Sequence, residues 1–375
     1  MTSPTDSLRP DRASGELRRA VVVGTGLIGG SIGLALRARG WEVSGVDRDP
    51  SRLKRALEMG VVSREGFDRE AEVVFVATPA AVVAEAALDA LSRCGPSAVV
   101  TDVAGVKRPV TEAVKDPRFI GGHPMAGSEQ EGVEGADGEL FVGATWVLTP
   151  TEETDPVAYT KLRALLVELG ADVVALSPER HDALVAVVSH LPHLVAASLS
   201  RLAASQATDE AALLRLAAGG FRDMTRVAAG HPAIWPDVCV ANAEEILSNL
   251  DRLSGLLEEI RKLIVAEDKA GIYRWLDEAR AARRSLPSRI PLPSELAEFR
   301  VPIADRPGAL AQLTTLAGSL DINIYDLEIA HSAEGEKGVA ILVVDGARAS
   351  ELRSALAAVG LGSTYRPLEE ERSGW

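Results

Sequence analysis

A short run of small and β-branched residues, Arg19-Ala20-Val21-Val22-Val23, ends in Gly24-Thr25-Gly26-Leu27-Ile28-Gly29, and a helical pattern from Ser31 to Arg39 follows, stopped by Gly40. Few sequence features restrict a fold as tightly. A buried parallel strand that passes at once into a helix needs glycine wherever the backbone is crowded. Gly24 permits the tight turn, Gly26 lets a pyrophosphate approach the backbone, and Gly29 lets the helix pack on the strand. Leu27 and Ile28 open the helix, whose free N–H groups face the phosphates. Val43 to Val46 is the next strand and ends in Asp47, placed to accept hydrogen bonds from ribose hydroxyls. That acid favours NAD over NADP, although Arg48 beside it is able to pair with a 2′-phosphate. An ordinary tight turn would leave the acid unexplained.

Further strand-helix units continue the pattern through Val73–Ala77 and Ala98–Asp102. Ligands of open α/β sheets sit at the carboxyl ends of the strands. Thr78, Pro79 and Asp102 are therefore expected at the nicotinamide half of the cofactor. Phe119-Ile120 leads into Gly121-Gly122-His123-Pro124-Met125-Ala126-Gly127-Ser128-Glu129, a poor helix and a poor strand, from which His123 is expected to project on a rigid loop. On its own terms such a histidine is as well explained by a turn that satisfies backbone groups. Thr145 to Leu148, a helix from Val157 to Leu169, and an extended Ala171 to Leu176 complete this half.

Beyond Ser177 the pattern turns almost wholly helical. His181 to Ala204 reads as one helix kinked at Pro192. His190 and His193, three apart, share a face, but no third ligand accompanies them and no metal site is expected. Gly219-Gly220 interrupts the helices ahead of Arg222 and Arg226. A long helix then runs from His231-Pro232-Ala233-Ile234-Trp235-Pro236 to Ala266, with Ile246, Leu250, Leu253, Leu257, Ile260 and Leu263 on its apolar stripe. A second helix spans Asp268 to Arg284. After a proline-rich stretch the order strand-helix-strand-strand-helix-strand recurs on a smaller scale.

The chain is thus α/β in class. It comprises a polar tail at 1–17, a Rossmann-type dinucleotide-binding domain at 18–177 and an all-helical substrate and dimerisation domain at 178–285. A linker at 286–295 leads to a ferredoxin-like βαββαβ domain at 296–375. Of its residues 46% are hydrophobic and 25% charged, enough apolar content for a packed core. The formal net charge of −14 excludes general nucleic-acid binding, which needs a basic face, but leaves room for a small anionic substrate held by a local arginine. Two cysteines, Cys94 and Cys239, are too few for a disulfide framework and fit a reducing, cytoplasmic setting. Met1 to Glu16 lacks the apolar core of a signal peptide, and no run is expected to span a membrane.

Four motifs in order, Val-Gly-Thr-Gly-Leu-Ile-Gly-Gly-Ser, Gly-Gly-His-Pro-Met-Ala-Gly, Ser-His-Leu-Pro-His and Phe-Arg-Asp-Met-Thr-Arg, resemble the prephenate and arogenate dehydrogenases of tyrosine biosynthesis. The resemblance covers Ala20 to about Arg284. It implies NAD-dependent oxidative decarboxylation of prephenate to 4-hydroxyphenylpyruvate, or of arogenate to tyrosine, by a homodimer. By the same resemblance His123 is the catalytic acceptor for the ring hydroxyl and Arg226 binds the ring carboxylate. His193 lies at the substrate's side-chain end with His190 as its neighbour, and Trp235 closes the pocket. The family's Ser-Val-Lys appears here as Gly105-Val106-Lys107, so water, Thr101 or Ser128 is expected in place of the serine hydroxyl. The departure also leaves open a catalytically silent NAD- and amino-acid-binding sensor. The final domain is similar to ACT domains through Asp-Arg-Pro-Gly-Ala-Leu and Asn-Ile-Tyr-Asp-Leu-Glu-Ile. That implies an amino-acid effector, tyrosine, at Asp305, Gly308, Asn323 and Ile324.

Overall fold

The computed structural model describes residues 18–127, 130, 132–206, 219–285, 296–304, 306, 308–331 and 337–367. The expected tail at 1–17 and linker at 286–295 lie outside them, as do Ser128 and Asp305. The chain divides into two compact units, Met1–Glu259 and Ile260–Trp375. The first joins the sheet domain and most of the helical region, which the sequence had separated at residue 177.

The first unit is built on an eight-stranded sheet in the order β3-β2-β1-β4-β5-β6-β7-β8. These strands are β1 (Arg19–Val23), β2 (Glu42–Val46), β3 (Arg64–Glu65), β4 (Val73–Val76), β5 (Val99–Asp102), β6 (Phe119–Pro124), β7 (Thr145–Thr149) and β8 (Asp172–Ala175). The first six are parallel, in the strand order of a doubly wound dinucleotide-binding fold; β7 pairs antiparallel with β6 and parallel with β8. Strands β4 and β5 are buried along their whole length, which is why they read as continuous apolar runs rather than alternating ones. Helices α1 (Leu27–Arg37), α2 (Pro50–Glu58), α3 (Val83–Arg93), α4 (Arg108–Ala113) and α5 (Pro156–Glu168) connect the strands. Asp49 and Asp155 cap α2 and α5, each followed by a proline in the first turn.

His123 does not project from a loop. It lies near the end of strand β6, opposite Val147 of β7. The diglycine before it serves closeness of packing, not flexibility. A Cβ on Gly121 would stand 2.4 Å from Thr149 Oγ1, and one on Gly122 would stand 2.7 Å from the Asp102 carbonyl and 2.8 Å from Thr101 Oγ1. Only glycine lets β6 come this near its neighbours.

The helical region opens with α6 (Pro178–Val185), capped by Ser177, and α7 (Leu191–Gln206), joined by a π-helical turn at Ala186–His190. The expected kink at Pro192 takes this form. Proline has no N–H for the turn before it, and Leu191 N–H instead reaches back to the Ala186 carbonyl. By length and composition alone Pro178–Ser205 is long and apolar enough to cross a membrane, contrary to expectation. It carries four polar residues of the site described below. A short helix α8 (Gly219–Thr225) and a 3₁₀ turn at Arg226–Ala229 pack against α7. The single long helix expected after Trp235 is two, α9 (Trp235–Ala241) and α10 (Ala243–Val265). Asn242 breaks it, because its side chain turns inward to the Asp182 carbonyl and to His190.

The second unit contains α11 (Lys269–Ser285) and a four-stranded antiparallel sheet in the order β10-β11-β9-β12. Its elements run β9 (Leu296–Ala304), α12 (Ala309–Ser319), β10 (Ile324–His331), β11 (Lys337–Asp345), α13 (Ala349–Ala358), β12 (Thr364–Pro367), the expected βαββαβ order. Phe299, Val301, Leu313, Leu342, Val344, Leu352 and Leu356 are wholly buried in its core.

Where β5 meets β6, one buried ion pair fastens the first unit. Lys107 and Asp102 have no exposed surface, and the ammonium donates both to Asp102 and to the Gly122 carbonyl, 2.7 Å away. Asp102 also accepts from Ala104 N–H and Gly122 N–H. Burial pushes the lysine's pKa down against the pull of Asp102. Removing one partner strands the other charge, so Lys107→Met is expected to destabilise the first unit by about 3–5 kcal/mol. Urea denaturation of the purified protein checks this; an unchanged midpoint would mean that the pair is dispensable.

Candidate active site

The glycine loop has the shape the sequence implies. Gly24 has φ +92°, and a Cβ there would press to 2.4 Å from the Ala77 carbonyl oxygen. On Gly29 a Cβ would collide with the Gly24 oxygen at 1.9 Å, whereas Gly26 has nothing among the described residues within 4 Å of its missing side chain. Two glycines therefore permit the fold and the middle one keeps an approach open. Asp47 is held by Thr25, whose backbone N–H and hydroxyl donate to Oδ2 at 2.7 and 2.9 Å, and by Asp49 N–H, which donates to Oδ1. At the end of β4 the Thr78 hydroxyl is buried without a hydrogen-bond partner among the described residues. An open, glycine-floored helix N-terminus, an oriented carboxylate and an unpartnered hydroxyl at the strand ends fit a dinucleotide.

Asp102 does not join this set. Its oxygens are committed to Lys107, Ala104 N–H and Gly122 N–H inside the protein, which makes it a brace for β6 instead of a cofactor contact. Pro79 leads into a 3₁₀ turn at Ala80–Val82, against which α9 packs with Trp235 at its start. The helix of the expected pocket aromatic thus abuts the strand end expected to face the nicotinamide.

His123 Nδ1 lies 2.8 Å from His181 Nε2, and His181 Nδ1 lies 2.7 Å from Asp182 Oδ1. Asp182 also accepts from the backbone N–H groups of Lys107 and Arg108 at 2.8 and 2.9 Å. These two N–H groups begin α4, so the carboxylate caps that helix from another element. Burial pushes the Asp182 carboxyl pKa upward, but the hydrogen bonds from His181, Arg108 and Lys107 outweigh it and hold the group below the usual range. Its ionised state dictates the tautomers. His181 donates to the carboxylate through Nδ1–H; with a neutral His181 ring its Nε2 is an acceptor, and His123 then donates through Nδ1–H. The Nε2 of His123 is left with a lone pair.

That nitrogen faces Gly105, whose missing Cβ would lie 3.8 Å from both Nε2 and Cε1. Among the described residues the place of the family's serine is therefore open beside the imidazole. Of the groups expected to replace it, the Thr101 hydroxyl donates to the Asp102 carbonyl at 3.3 Å, and Ser128 is outside the described residues.

A second branch leaves Asp182 through its carbonyl, which accepts from Asn242 Nδ2 at 2.9 Å; the same amide nitrogen is 3.2 Å from His190 Nδ1. Trp235 meets His190 edge-on and stacks on His193, with ring centroids 3.6 Å apart. The contacts run unbroken from His123 through His181, Asp182, Asn242, His190 and Trp235 to His193. Arg226 stands on the exposed 3₁₀ turn that packs against α7, the helix carrying His193. Sequence reasoning missed His181, Asp182, Lys107 and Asn242. The change to helix beyond Ser177 was legible, but only the fold shows that His181 and Asp182 point back at β6 and α4.

Two family models match most of the chain. The prephenate dehydrogenase nucleotide-binding domain matches residues 32–175, and the prephenate dehydrogenase dimerization domain matches 177–278. Prephenate dehydrogenase of Bacillus subtilis (strain 168) is 34% identical over 340 residues, covering 85% of this chain and 90% of that protein. The crystal structure of prephenate dehydrogenase from Aquifex aeolicus in complex with hydroxyphenyl propionate and NAD+ is 30% identical with a TM-score of 0.67, covering 72% of this chain and 99% of that one. Arogenate dehydrogenase of Synechocystis is 36% identical with a TM-score of 0.62, covering 71% and 98%. The chain belongs to the prephenate dehydrogenase family.

The buried histidines carry a cost in acid. Burial, then the neighbouring His181, Lys107 and His190, push the His123 pKa well below 6.5, and burial pushes that of His190 to about 4. Both groups take up a proton more readily in the unfolded chain, so their contribution is complete above about pH 6.5 and is lost as the pH falls towards 4. Tm measured across this range is expected to decline before the carboxylates titrate, and His190→Asn, which keeps an acceptor for Asn242, to lessen the decline. A flat Tm between pH 6.5 and 4.5 would contradict it.

Proposed function

We propose that this protein is a prephenate dehydrogenase, converting prephenate to 4-hydroxyphenylpyruvate by NAD-dependent oxidative decarboxylation. One observation carries the reading furthest. The inward nitrogen of His123 is taken by His181, so the nitrogen at the open edge beside Gly105 is a lone-pair acceptor. A cyclohexadienol that loses hydride and carbon dioxide becomes aromatic, and the protein need only accept its hydroxyl proton and hold its anionic groups in place. Bound NAD supplies the hydride acceptor. Its place is the loop Gly24–Gly29 with Asp47 on the ribose, and Thr78 and Pro79 at the strand ends. His123 accepts the proton at Nε2. Arg226 binds the ring carboxylate, while His193, supported by Trp235 and His190, borders the side-chain end.

The Synechocystis arogenate dehydrogenase, at 36% identity, favours a second reading in which the side chain carries an ammonium. Burial lowers the His193 pKa and favours a neutral imidazole, whose one N–H can donate to a keto oxygen, which supports the keto substrate. Association as a homodimer is supported by the match to a dimerization domain and by the exposed Leu247, Leu256 and Leu257 of α10. Both cysteines are free thiols, in keeping with a cytoplasmic enzyme.

We also read the βαββαβ domain as an ACT-type regulatory module that binds tyrosine. Gly308, with φ +87°, begins α12 in a left-handed conformation that favours glycine, and Asn323-Ile324 leads into β10.

With prephenate and NAD, NADH formation is expected, and His123→Asn is expected to lower kcat by about 10²–10⁴-fold with little change in KM. Turnover of arogenate alone would select the second reading, and an unaltered kcat would remove His123 from the chemistry. Tyrosine is expected to inhibit the full chain, and Asn323→Ala to weaken that inhibition; indifference to tyrosine would leave the domain a packing module.

A further inference from the structure

A base as deeply embedded as His123 has a difficulty. It faces His181 of α6, Lys107 of the β5–α4 loop and His190 of the π-turn, and all of these oppose a positive charge on its ring. Asp182, the carboxylate of the array, reaches His123 only through His181. The hydrogens already point along that path: His123 Nδ1–H to His181 Nε2, and His181 Nδ1–H to Asp182 Oδ1. Reversing them would set an unprotonated His181 Nδ1 against a carboxylate that two backbone N–H groups hold in place.

We propose that His181 and Asp182 are positioning residues of the proton acceptor, and that the three side chains work as a relay. The inference rests on the dehydrogenase reading above. As the substrate O–H bond breaks, an N–H bond forms at His123 Nε2. The Nδ1–H bond of His123 breaks and an N–H bond forms at His181 Nε2. His123 ends neutral in the opposite tautomer, and the positive charge rests on His181 beside the Asp182 carboxylate, which stays ionised. The hydride leaves separately, to the oxidised nicotinamide of the reaction. Return of the proton to solvent through His123 resets the array.

The test separates relay from mere support. In wild-type enzyme labelled with ¹⁵N-histidine, without substrate and above pH 7, His123 is expected to show a protonated Nδ1 and an unprotonated Nε2. A protonated Nε2 would overturn the proposal without recourse to any variant. His181→Gln offers an amide oxygen to His123 Nδ1–H, so the tautomer is expected to survive while the proton has nowhere to go. Its kcat with prephenate is expected to fall by about 10²-fold. The acid limb of its kcat/KM profile is expected to move to lower pH, because the proton can no longer settle on an imidazole beside the Asp182 carboxylate. His181→Leu is expected to lose the fixed tautomer as well. Wild-type kcat and an unmoved acid limb in His181→Gln would overturn the relay. A wild-type protein that oxidises neither prephenate nor arogenate would overturn the dehydrogenase reading first, and the relay with it, whatever the tautomer.

Discussion

The Asp182 carboxylate is the interaction on which the first unit's site depends. It projects from α6 and accepts the first N–H groups of α4, so it ties the helical region to the loop that follows β5. The same oxygen that takes Lys107 N–H also takes His181 Nδ1–H, and its backbone carbonyl takes Asn242. Helix capping, histidine tautomer and the break between α9 and α10 are therefore set from one residue. An ionised carboxylate in such a place is stable only because several donors converge on it. Any displacement of α6 relative to β6 would leave those donors or the carboxylate unpaired, and that cost is what defines the spacing of His123 and His181.

Asp102 plays the corresponding part beneath the site. The pair it makes with Lys107 contributes little over a well-packed apolar alternative, since desolvation offsets most of the attraction. What it does provide is direction. The lysine reaches the Gly122 carbonyl and the aspartate reaches the Gly122 N–H, so both backbone groups of the residue before His123 are held from the end of β5 and the loop that follows it. A histidine at the end of an otherwise free strand would sample several orientations; one whose preceding peptide is clamped on both sides does not.

Much of this was legible in the chain. Strand, glycine turn, helix and terminal acid named the nucleotide-binding half because each residue there answers to a local backbone demand, and Gly24, Gly26 and Gly29 meet three different ones. The order of the small C-terminal domain was legible as well, from its succession of strand and helix segments. The errors share a physical cause. Gly121-Gly122 was read as part of a loop because glycine's lack of a side chain permits both a loose chain and a crowded one, and only the distances to Thr149, Thr101 and Asp102 tell them apart. Asn242 lies within an unbroken helical pattern, and its partners are 60 and 52 residues away in sequence. Asp102 was assigned to the cofactor by its position at a strand end, but the lysine five residues on claims it.

Gly105 acquires a different meaning in this setting. In a site whose imidazole is oriented chiefly by a neighbouring serine, loss of that hydroxyl would free the ring to turn. Here the orientation comes from behind, through His181 and Asp182, and from β6 through the Lys107 clamp. The missing hydroxyl therefore deprives the site of a donor near the substrate without loosening His123 itself. The vacated volume lies against Cε1 and Nε2, the edge to which the proposed reading brings the substrate hydroxyl. A glycine is tolerable at that position to the extent that the base is fixed elsewhere, and the buried array supplies that fixation.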